Sequence, residues 1–463
     1  MYVSRLFNRY PTAAAAAWVA LCFLLTSAVY LSWVYLLVDL TGAAATDWLS
    51  MVTGYILQAA GTGFVAQELR ERASANHRRR FCIAVLLFAA TALPALLSGH
   101  AAGALSFGYA MNLLCGIIAG YYLYGLASRL GASHRAIAFG GGYALATAAL
   151  GALSLPFGNS LLRSRWALPV YLAAAAMLAA LTWRLPLLDG PGESSPRQPS
   201  EELTRKTLLL ACGAVALMSL VKNLGFGFPS SDIEAGLKPE LWRLFYALGL
   251  VAAGFINDRN RRYGMVCTVA ALILPFMMLA VSNEPVSGAI CWSLDYLFYG
   301  FFSVFRVVLF MDFAQKTGRW GLAPLGLALG RVGDAAGTAL CLAAGGNTLL
   351  TVAITSALFV AAVLVLFQLY RVLYESTATA RQSEREVFET FSHQHDLSSR
   401  EREVLRLVLA ERSNGEIAEA LFVSESTIKY HVHNLLKKTG CKSRLELLKK
   451  YHAALYPGME KAV

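Results

Sequence analysis

The chain has 463 residues, of which 57% are hydrophobic and 15% charged, and its mean hydropathy is +0.51. This composition is too apolar for a soluble enzyme of this length and predicts a membrane protein. The formal net charge of +11 has two possible explanations, which can both apply. Basic loops orient a membrane protein, and a basic surface binds nucleic acid. Eight scattered cysteines form no Cys-x-x-Cys pair, which indicates buried thiols rather than disulfides or a metal site.

Twelve apolar runs are long enough for a helix to cross the hydrocarbon core. The first, 13–38, is too long for a cleavable signal peptide and is expected to stay as the first span. The first six are 13–38, 48–66, 81–97, 104–126, 136–156 and 166–188; the second six are 207–226, 240–257, 263–282, 288–311, 321–344 and 348–370. The sequence therefore predicts an all-α bundle with halves at 1–188 and 207–373, joined by a Pro/Gly/Ser-rich cytoplasmic linker at 189–206.

The basic residues of the loops predict the orientation of the bundle. With the N-terminus inside, the inner loops hold 18 Lys and Arg residues and the outer loops hold 3. By the positive-inside rule, both termini are expected in the cytoplasm of a bacterial cell, with the bundle in the cytoplasmic (inner) membrane.

The segment after the eighth run, 254–262, reads Gly-x-x-x-Asp-Arg-x-Arg-Arg. Together with the six-plus-six arrangement, it resembles the major facilitator superfamily, which carries Gly-x-x-x-Asp-Arg/Lys-x-Gly-Arg/Lys-Arg/Lys in its second and eighth cytoplasmic loops. Arg261 replaces the second glycine of that motif. The first-half counterpart, 63–67, keeps the glycine spacing but lacks the aspartate. The resemblance implies a transporter-like bundle built from two repeated halves.

Several charged residues lie inside the apolar runs, where they are expensive and usually face a cavity or a partner. Asp295, Tyr299 and Arg306 share one face of the tenth run, and Arg331 and Asp334 are three residues apart in the eleventh. The predicted ligand-sensing residues are Lys222, Trp292, Asp295, Tyr299, Arg306, Arg331 and Asp334. The aromatic rings suit a planar or cationic ligand.

Purely structural roles are alternatives for these charges. Arg331 and Asp334 would then neutralise each other and join helices. Arg306 would extend to lipid headgroups or pair with Asp312.

Three segments near the C-terminus carry a second resemblance. Residues 397–405 read Leu-Ser-Ser-Arg-Glu-Arg-Glu-Val-Leu, 413–418 read Ser-Asn-Gly-Glu-Ile-Ala, and 423–434 read Val-Ser-Glu-Ser-Thr-Ile-Lys-Tyr-His-Val-His-Asn. They resemble the LuxR-type helix-turn-helix domain, which implies a small four-helix domain over 397–463. The resemblance implies a supporting helix at 415–422, a recognition helix at 425–439 and a dimerisation helix from Ser443. Glu411 replaces a glycine that the family usually has.

The residues themselves support this interpretation. Ser398-x-x-Glu401 and Ser443-x-x-Glu446 are capping boxes, and Ser424 is the expected N-cap of the recognition helix. Ile428, Val432 and Leu435 recur at helical spacing and form its buried side. The predicted DNA-binding residues on the outward side are Ser426, Thr427, Lys429, Tyr430, His433, Asn434 and Lys437. Residues 397–451 carry a net charge of +4, which suits contact with phosphates.

Residues 374–396 are predicted to be a polar connector with an amphipathic patch at Val387, Phe388 and Phe391. A phosphoacceptor receiver domain does not fit in this connector. Control by phosphorelay is therefore not expected.

These features predict a membrane-bound transcription regulator that senses a small molecule through the bundle. Its expected partners are double-stranded promoter DNA, a second copy of the chain on that DNA, the lipid bilayer and RNA polymerase. The alternative is a secondary transporter of the major facilitator type with a DNA-binding tail. The sequence has no nucleophile–base constellation, metal-ligand set or cofactor motif, so a non-enzyme without a cofactor is expected.

Overall fold

The computed structural model describes residues 9–70, 76–157, 167–191, 204–225, 239–281, 285–375 and 386–455. Within these ranges the regular secondary structure is helical and contains no strand. The chain divides into two compact units, Met1–Leu369 and Tyr370–Val463. The predicted all-α class is confirmed.

Within the part of the chain that the structure describes, the first unit contains twelve long helices, six in each half. Those of the first half are α1 Pro11–Thr41, α2 Gly54–Arg70, α3 His77–Leu97, α4 Ala101–Arg129, α5 Arg135–Phe157 and α6 Ala167–Arg184. Those of the second half are α7 Arg205–Gly225, α8 Pro239–Arg259, α9 Arg261–Ala280, α10 Pro285–Thr317, α11 Leu325–Ala343 and α12 Thr348–Tyr370. Among the described residues, nine helical segments are long and apolar enough to cross a membrane. The other three helices, α5, α6 and α8, pack in the same bundle.

Close helix crossings recur at equivalent places in the two halves. In the first half, α2 crosses α4 at Gly61 and Gly116, and a Cβ atom on either glycine would overlap the backbone of the other helix. In the second half, Gly249 and Gly300 have the same role where α8 crosses α10. Small residues let helix backbones approach in a membrane bundle. The repeated crossings fit the duplicated architecture that the sequence predicts.

The segment that resembles the transporter motif joins the two halves. The Asp258 carboxylate, near the end of α8, accepts the backbone N–H groups of Ala136 at 3.0 Å and Ile137 at 2.8 Å in the first turn of α5. A Cβ atom on Gly254 would lie 2.8 Å from the Ile137 Cα atom. The glycine therefore permits the close approach, and the aspartate caps the helix that approaches.

Arg261 extends this contact to α10. Its guanidinium lies 3.1 Å from the Asp258 carboxylate and 2.7 Å from that of Asp312. Asp312 also binds Arg135, the first residue of α5, at 2.8 Å. Because Arg261 is the first residue of α9, helices α5, α8, α9 and α10 are thus connected at the end that the sequence assigns to the cytoplasm.

In its described part, the second unit contains four helices, a helical segment over 386–394 and the π-helical segment Arg371–Glu375. The helices are α13 Ser399–Leu409, α14 Asn414–Ala420, α15 Glu425–Thr439 and α16 Arg444–Leu455. Their apolar sides meet in one core, where Val404, Ile417, Ile428 and Leu447 are fully buried. The bounds of α15 coincide with those predicted for the recognition helix.

Candidate functional site: DNA-binding surface and central cavity

Serine caps set the start of each helix that positions the candidate DNA-binding surface. The Ser424 hydroxyl accepts the Thr427 N–H at 3.2 Å and lies 2.7 Å from the Ser426 hydroxyl. Ser413 and Glu416 form a capping box at the start of α14, which sequence reasoning missed although the Ser-x-x-Glu spacing was visible. Such caps satisfy backbone donors that a first turn leaves without partners.

The two other predicted caps differ in detail. Ser398 and Glu401 form the complete capping box of α13. At α16, the Ser443 hydroxyl accepts the Glu446 N–H at 3.2 Å, but the Glu446 carboxylate accepts the N–H of Lys442 rather than that of Ser443. The N-terminus of α16 is therefore capped by a variant of the predicted arrangement.

Helix α15 has one buried side and one exposed side. Ile428 and Leu435 are fully buried, and Val432 packs partly buried against the same core. The exposed predicted DNA-binding residues are Ser426, Lys429, Tyr430, His433 and Lys437, and the half-buried ones are Thr427 and Asn434. All seven thus lie away from the fully buried positions of this helix.

Lys429 contacts Glu425 one turn earlier, with its Nζ atom 3.0 Å from the carboxylate. Both side chains are exposed, so this pair is weak and can separate when a phosphate or a base edge approaches.

Phe422, in the turn between α14 and α15, was missed by sequence reasoning. Its side chain is 95% exposed, and its φ of 54° lies in the left-handed region. The predicted supporting helix 415–422 ends before it, at Ala420. An aromatic residue beside the start of α15 extends the accessible surface next to the predicted DNA-binding residues.

The end of α13 is set without the usual glycine. Glu411 has a φ of 57°, and its N–H donates to the Val408 carbonyl at 3.0 Å. The next N–H, of Arg412, donates to the Leu407 carbonyl at 3.1 Å. This is the hydrogen-bond pattern of a left-handed helix stop, which glycine adopts without a steric penalty.

We expect Glu411→Gly to raise the free energy of unfolding of the C-terminal unit by about 0.5–1 kcal/mol, because it removes the left-handed strain. Urea unfolding of a fragment spanning this unit measures the effect. Glu411→Ala is the control, since it removes the carboxylate but keeps the strain, and it should give no gain. Equal gains for both variants would assign the effect to charge instead.

A buried carboxylate ties the start of α13 to the end of α15. Glu401 is 4% exposed and accepts the Ser398 N–H at 2.8 Å and the Lys438 ammonium at 2.7 Å. Burial raises the pKa of Glu401, but the hydrogen bonds from Lys438 and Ser398 outweigh it and hold the pKa below its ordinary value. The stabilisation is present above the ordinary pKa and is lost as the pH falls through the lowered one.

The helical segment 386–394 packs on the C-terminal unit. The rings of Phe388 and Phe391 lie 6.4 and 5.4 Å from that of Tyr451 in α16, and the Arg406 guanidinium lies 4.8 Å from the Phe388 ring. Val387 packs partly buried beside them. The predicted amphipathic patch is thus the inward side of this segment, and the packed core begins upstream of residue 397.

The membrane unit contains a partly open cavity of about 290 Å³ between its two halves. Helices α1, α2, α4 and α5 line it from the first half, and α8, α10 and α11 from the second. Its aromatic and basic lining residues are Phe23, Tyr30, Tyr55, Tyr122, Phe139, Tyr143, Arg243, Tyr246, Tyr296, Tyr299, Arg306 and Arg331. Ligand sites of transporters lie at the same junction between repeats.

The predicted ligand-sensing residues divide into two groups. Tyr299, Arg306 and Arg331 line the cavity, whereas the described lining does not include Lys222, Trp292, Asp295 or Asp334. The Lys222 ammonium binds both oxygens of Asp295, at 2.7 and 2.6 Å, and both side chains are buried. The Trp292 ring packs at 5.6 Å from that of Tyr296.

The Asp334 carboxylate forms ion pairs with two arginines. Asp334 lies 3.1 Å from the Arg306 guanidinium and 3.4 Å from that of Arg331. The alternative in which Arg306 pairs with Asp312 is wrong, because Asp312 binds Arg135 and Arg261 and the Arg306 side chain points to α11 instead.

Several lining residues were not predicted from the sequence. The Phe23 and Tyr143 rings stack at 3.9 Å, Tyr143 meets Tyr246 edge-on at 5.5 Å, and Tyr246 stacks with Tyr299 at 5.0 Å. This row of rings crosses from the first half to the second. Arg243 had a visible signal, because it is a charged residue inside the run 240–257.

Comparison with known proteins supports both resemblances. Residues 395–450 match the family described as "Bacterial regulatory proteins, luxR family". The CsgBAC operon transcriptional regulatory protein of Escherichia coli (strain K12) is 46% identical over 50 residues, which are 11% of this chain and 23% of that protein. The spore germination protein GerE of Bacillus subtilis (strain 168) is 44% identical over 48 residues, 10% of this chain and 65% of that protein. The chain thus spans less than a quarter of the first relative's length.

For the membrane unit, the crystal structure of the human organic anion transporter MFSD10 (TETRAN) is similar, with a TM-score of 0.52 and 15% identity. The match covers 77% of this chain and 99% of that one. At this identity the likeness concerns the fold alone. The chain therefore joins a LuxR-type helix-turn-helix domain to a helical bundle with the fold of major facilitator transporters.

Proposed function

We propose that this protein is a membrane-bound transcription regulator that senses a small molecule in its transporter-like bundle and binds promoter DNA through α15. The observation that carries this proposal is the presence, in one chain, of a complete LuxR-type DNA-binding unit and a bundle with a central cavity. The bundle lies in the cytoplasmic membrane with both termini in the cytoplasm. The excess of basic residues in the inner loops supports this orientation.

DNA recognition uses the exposed side of α15. Lys429 and Lys437 contact phosphates or guanine edges, Ser426 and Thr427 donate to phosphates, and His433 reads a base edge. Tyr430 and Asn434 contribute to the same surface. Two copies bind half-sites about 34 Å apart, the spacing of one turn of DNA. RNA polymerase is the further partner through which bound protein changes transcription.

Signal transfer requires that the ligand bind two bundle conformations with unequal affinity. The ion pairs of Arg261 join the start of α9 to α8 and α10, and Asp312 also binds Arg135 of α5. Opening of these ion pairs is a suitable difference between the two conformations. In the sequence, α12 is followed by the π-helical segment Arg371–Glu375 and then by the connector. A conformational change in α12 is thereby transmitted to the DNA-binding unit along the covalently linked connector.

Chromatin immunoprecipitation of the full-length, membrane-retained protein tests the proposal. We expect a few sharp sites upstream of genes, and the same chain without residues 386–463 should give none. A profile identical to that of this truncated control would reject the regulator.

The contact between Asp258 and α5 favours a second candidate, a secondary transporter with a DNA-binding tail, because this contact matches the motif of transporters. Uptake into vesicles of a compound that binds the purified protein would support it. Tight binding without uptake would support the receptor.

A further inference from the structure

The central cavity is basic as well as aromatic. Arg243, Arg306 and Arg331 line it, and none of the described lining residues is Asp or Glu. The sequence favoured a planar or cationic ligand on the basis of aromatic rings alone. The guanidinium groups change this expectation, because a cation in the cavity would face three guanidinium groups and, in the described lining, no carboxylate.

Among the described residues, the nearby carboxylates do not balance Arg306 and Arg331. Asp334 is shared between Arg306 and Arg331, so these three residues together keep one excess positive charge. Asp295 is already neutralised by Lys222, which binds both of its oxygens. An excess charge in a membrane interior is costly unless a partner compensates it. A bound anion would therefore compensate the excess positive charge of Arg306 and Arg331.

The donors of the two arginines are available for such an anion. Arg306 is 5% exposed, and its buried Nε atom has no hydrogen-bond partner among the described residues. Arg331 lies 3.4 Å from Asp334, which is a long contact, and its guanidinium lies 4.6 Å from the Tyr55 ring of the first half. Guanidinium groups bind carboxylates through paired hydrogen bonds. An anion on Arg331 would lie where the two halves meet.

The rest of the lining defines the uncharged part of the ligand. The stacked rings of Phe23 and Tyr143, with Tyr246 and Tyr299, form an aromatic wall beside the arginines. Such walls prefer flat apolar groups. A volume of about 290 Å³ suits a compound of one or two rings.

We propose that the cavity binds a small organic anion, with a carboxylate on Arg331 and Arg306 and an aromatic ring against the tyrosines. This inference deepens the proposed function and rests on it only in assuming that the cavity is the ligand site. Because Arg331 belongs to the second half and Tyr55 to the first, the anion contacts both halves. Its affinity therefore depends on how the halves are arranged.

Probes that share a naphthyl ring and differ in the charge of the attached group test the class of ligand. We would titrate 2-naphthoate, neutral 2-naphthamide and cationic 2-naphthylmethylammonium onto the purified full-length protein in nanodiscs, following tyrosine and tryptophan fluorescence and thermal stability. We expect the anion to bind at least tenfold more tightly than the amide, and the cation to bind most weakly.

Arg331→Gln should remove this preference, lowering the affinity for 2-naphthoate at least tenfold while leaving that for the amide within twofold. Arg331→Lys keeps the charge and should retain part of the preference. Arg319→Gln, at an exposed position outside the lining, is the control for loss of one positive charge and should behave as the unmodified protein. The unliganded melting temperature and gel-filtration profile verify that each variant folds.

Binding of the amide or the ammonium compound as tight as that of the anion would overturn the proposal. An anion preference unaffected by Arg331→Gln would overturn it as well. Failure of the proposed function looks different: the anion would bind normally, but promoter occupancy would not respond to it. If occupancy responds only to neutral or cationic compounds, sensing stands and the anion class is wrong.

Discussion

Replacing Lys429 and His433 by alanine is expected to lower the affinity for the promoter sites of this protein by roughly 30- to 1,000-fold, or about 2–4 kcal/mol. Both side chains are exposed on the same side of α15, four residues apart, so both can reach one major groove. Neither contributes to the buried core of the domain. The loss should therefore appear in binding and leave the unfolding of the domain nearly unchanged.

The measurement is a titration of promoter DNA, taken from an immunoprecipitated site, with full-length protein at several salt concentrations. Losing a phosphate contact by Lys429 should reduce the slope of log K against log salt by about one. Lys449→Ala is the control, because Lys449 is an exposed lysine of α16, outside α15. An equal loss for the control would mean that overall charge, rather than the surface of α15, determines affinity.

The bounds of α15 were predictable because both ends carry local signals. Ser424 caps its start, and Gly440, with a φ of 70°, ends it in the left-handed conformation. The packing of 386–394 was only partly predictable. Val387, Phe388 and Phe391 indicate an apolar side, but the ring that covers it, Tyr451, comes more than fifty residues later. The local pattern predicts that one side of this segment is buried. Only the tertiary fold determines which residues cover that side.

The same limit applies to the cavity. The twelve helices follow from the length of the apolar runs, which is a local property. Which tyrosines line the cavity depends on the rotation of each helix, and Tyr143 and Tyr246 come from different halves. Sequence reasoning placed charges on one side of α10, but it could not assign their partners. Lys222 and Asp295 are 73 residues apart and meet only in the folded bundle.

Lys222→Met is expected to destabilise the bundle strongly, by about 3–5 kcal/mol, because it leaves the buried Asp295 carboxylate without its counter-ion. Lys222 and Asp295 are 1% and 2% exposed, so water cannot replace the lost ammonium. Removing both charges, in Lys222→Met/Asp295→Leu, should bring the stability back to within about 1–2 kcal/mol of the unmodified protein. The stability of the unmodified protein, the single variant and the double variant is measured by unfolding each detergent-solubilised protein with increasing amounts of denaturing detergent.

The double variant also separates a structural pair from a ligand site. Lys206→Met, at an exposed position of the same helix α7, is the matched control and should leave stability nearly unchanged. Because the described cavity lining includes neither Lys222 nor Asp295, we expect the double variant to keep its affinity for ligand. If it regains stability but loses ligand binding, the pair is part of the sensing site after all. If the double variant is as unstable as Lys222→Met, the instability comes from lost packing at residue 222 rather than from an uncompensated charge.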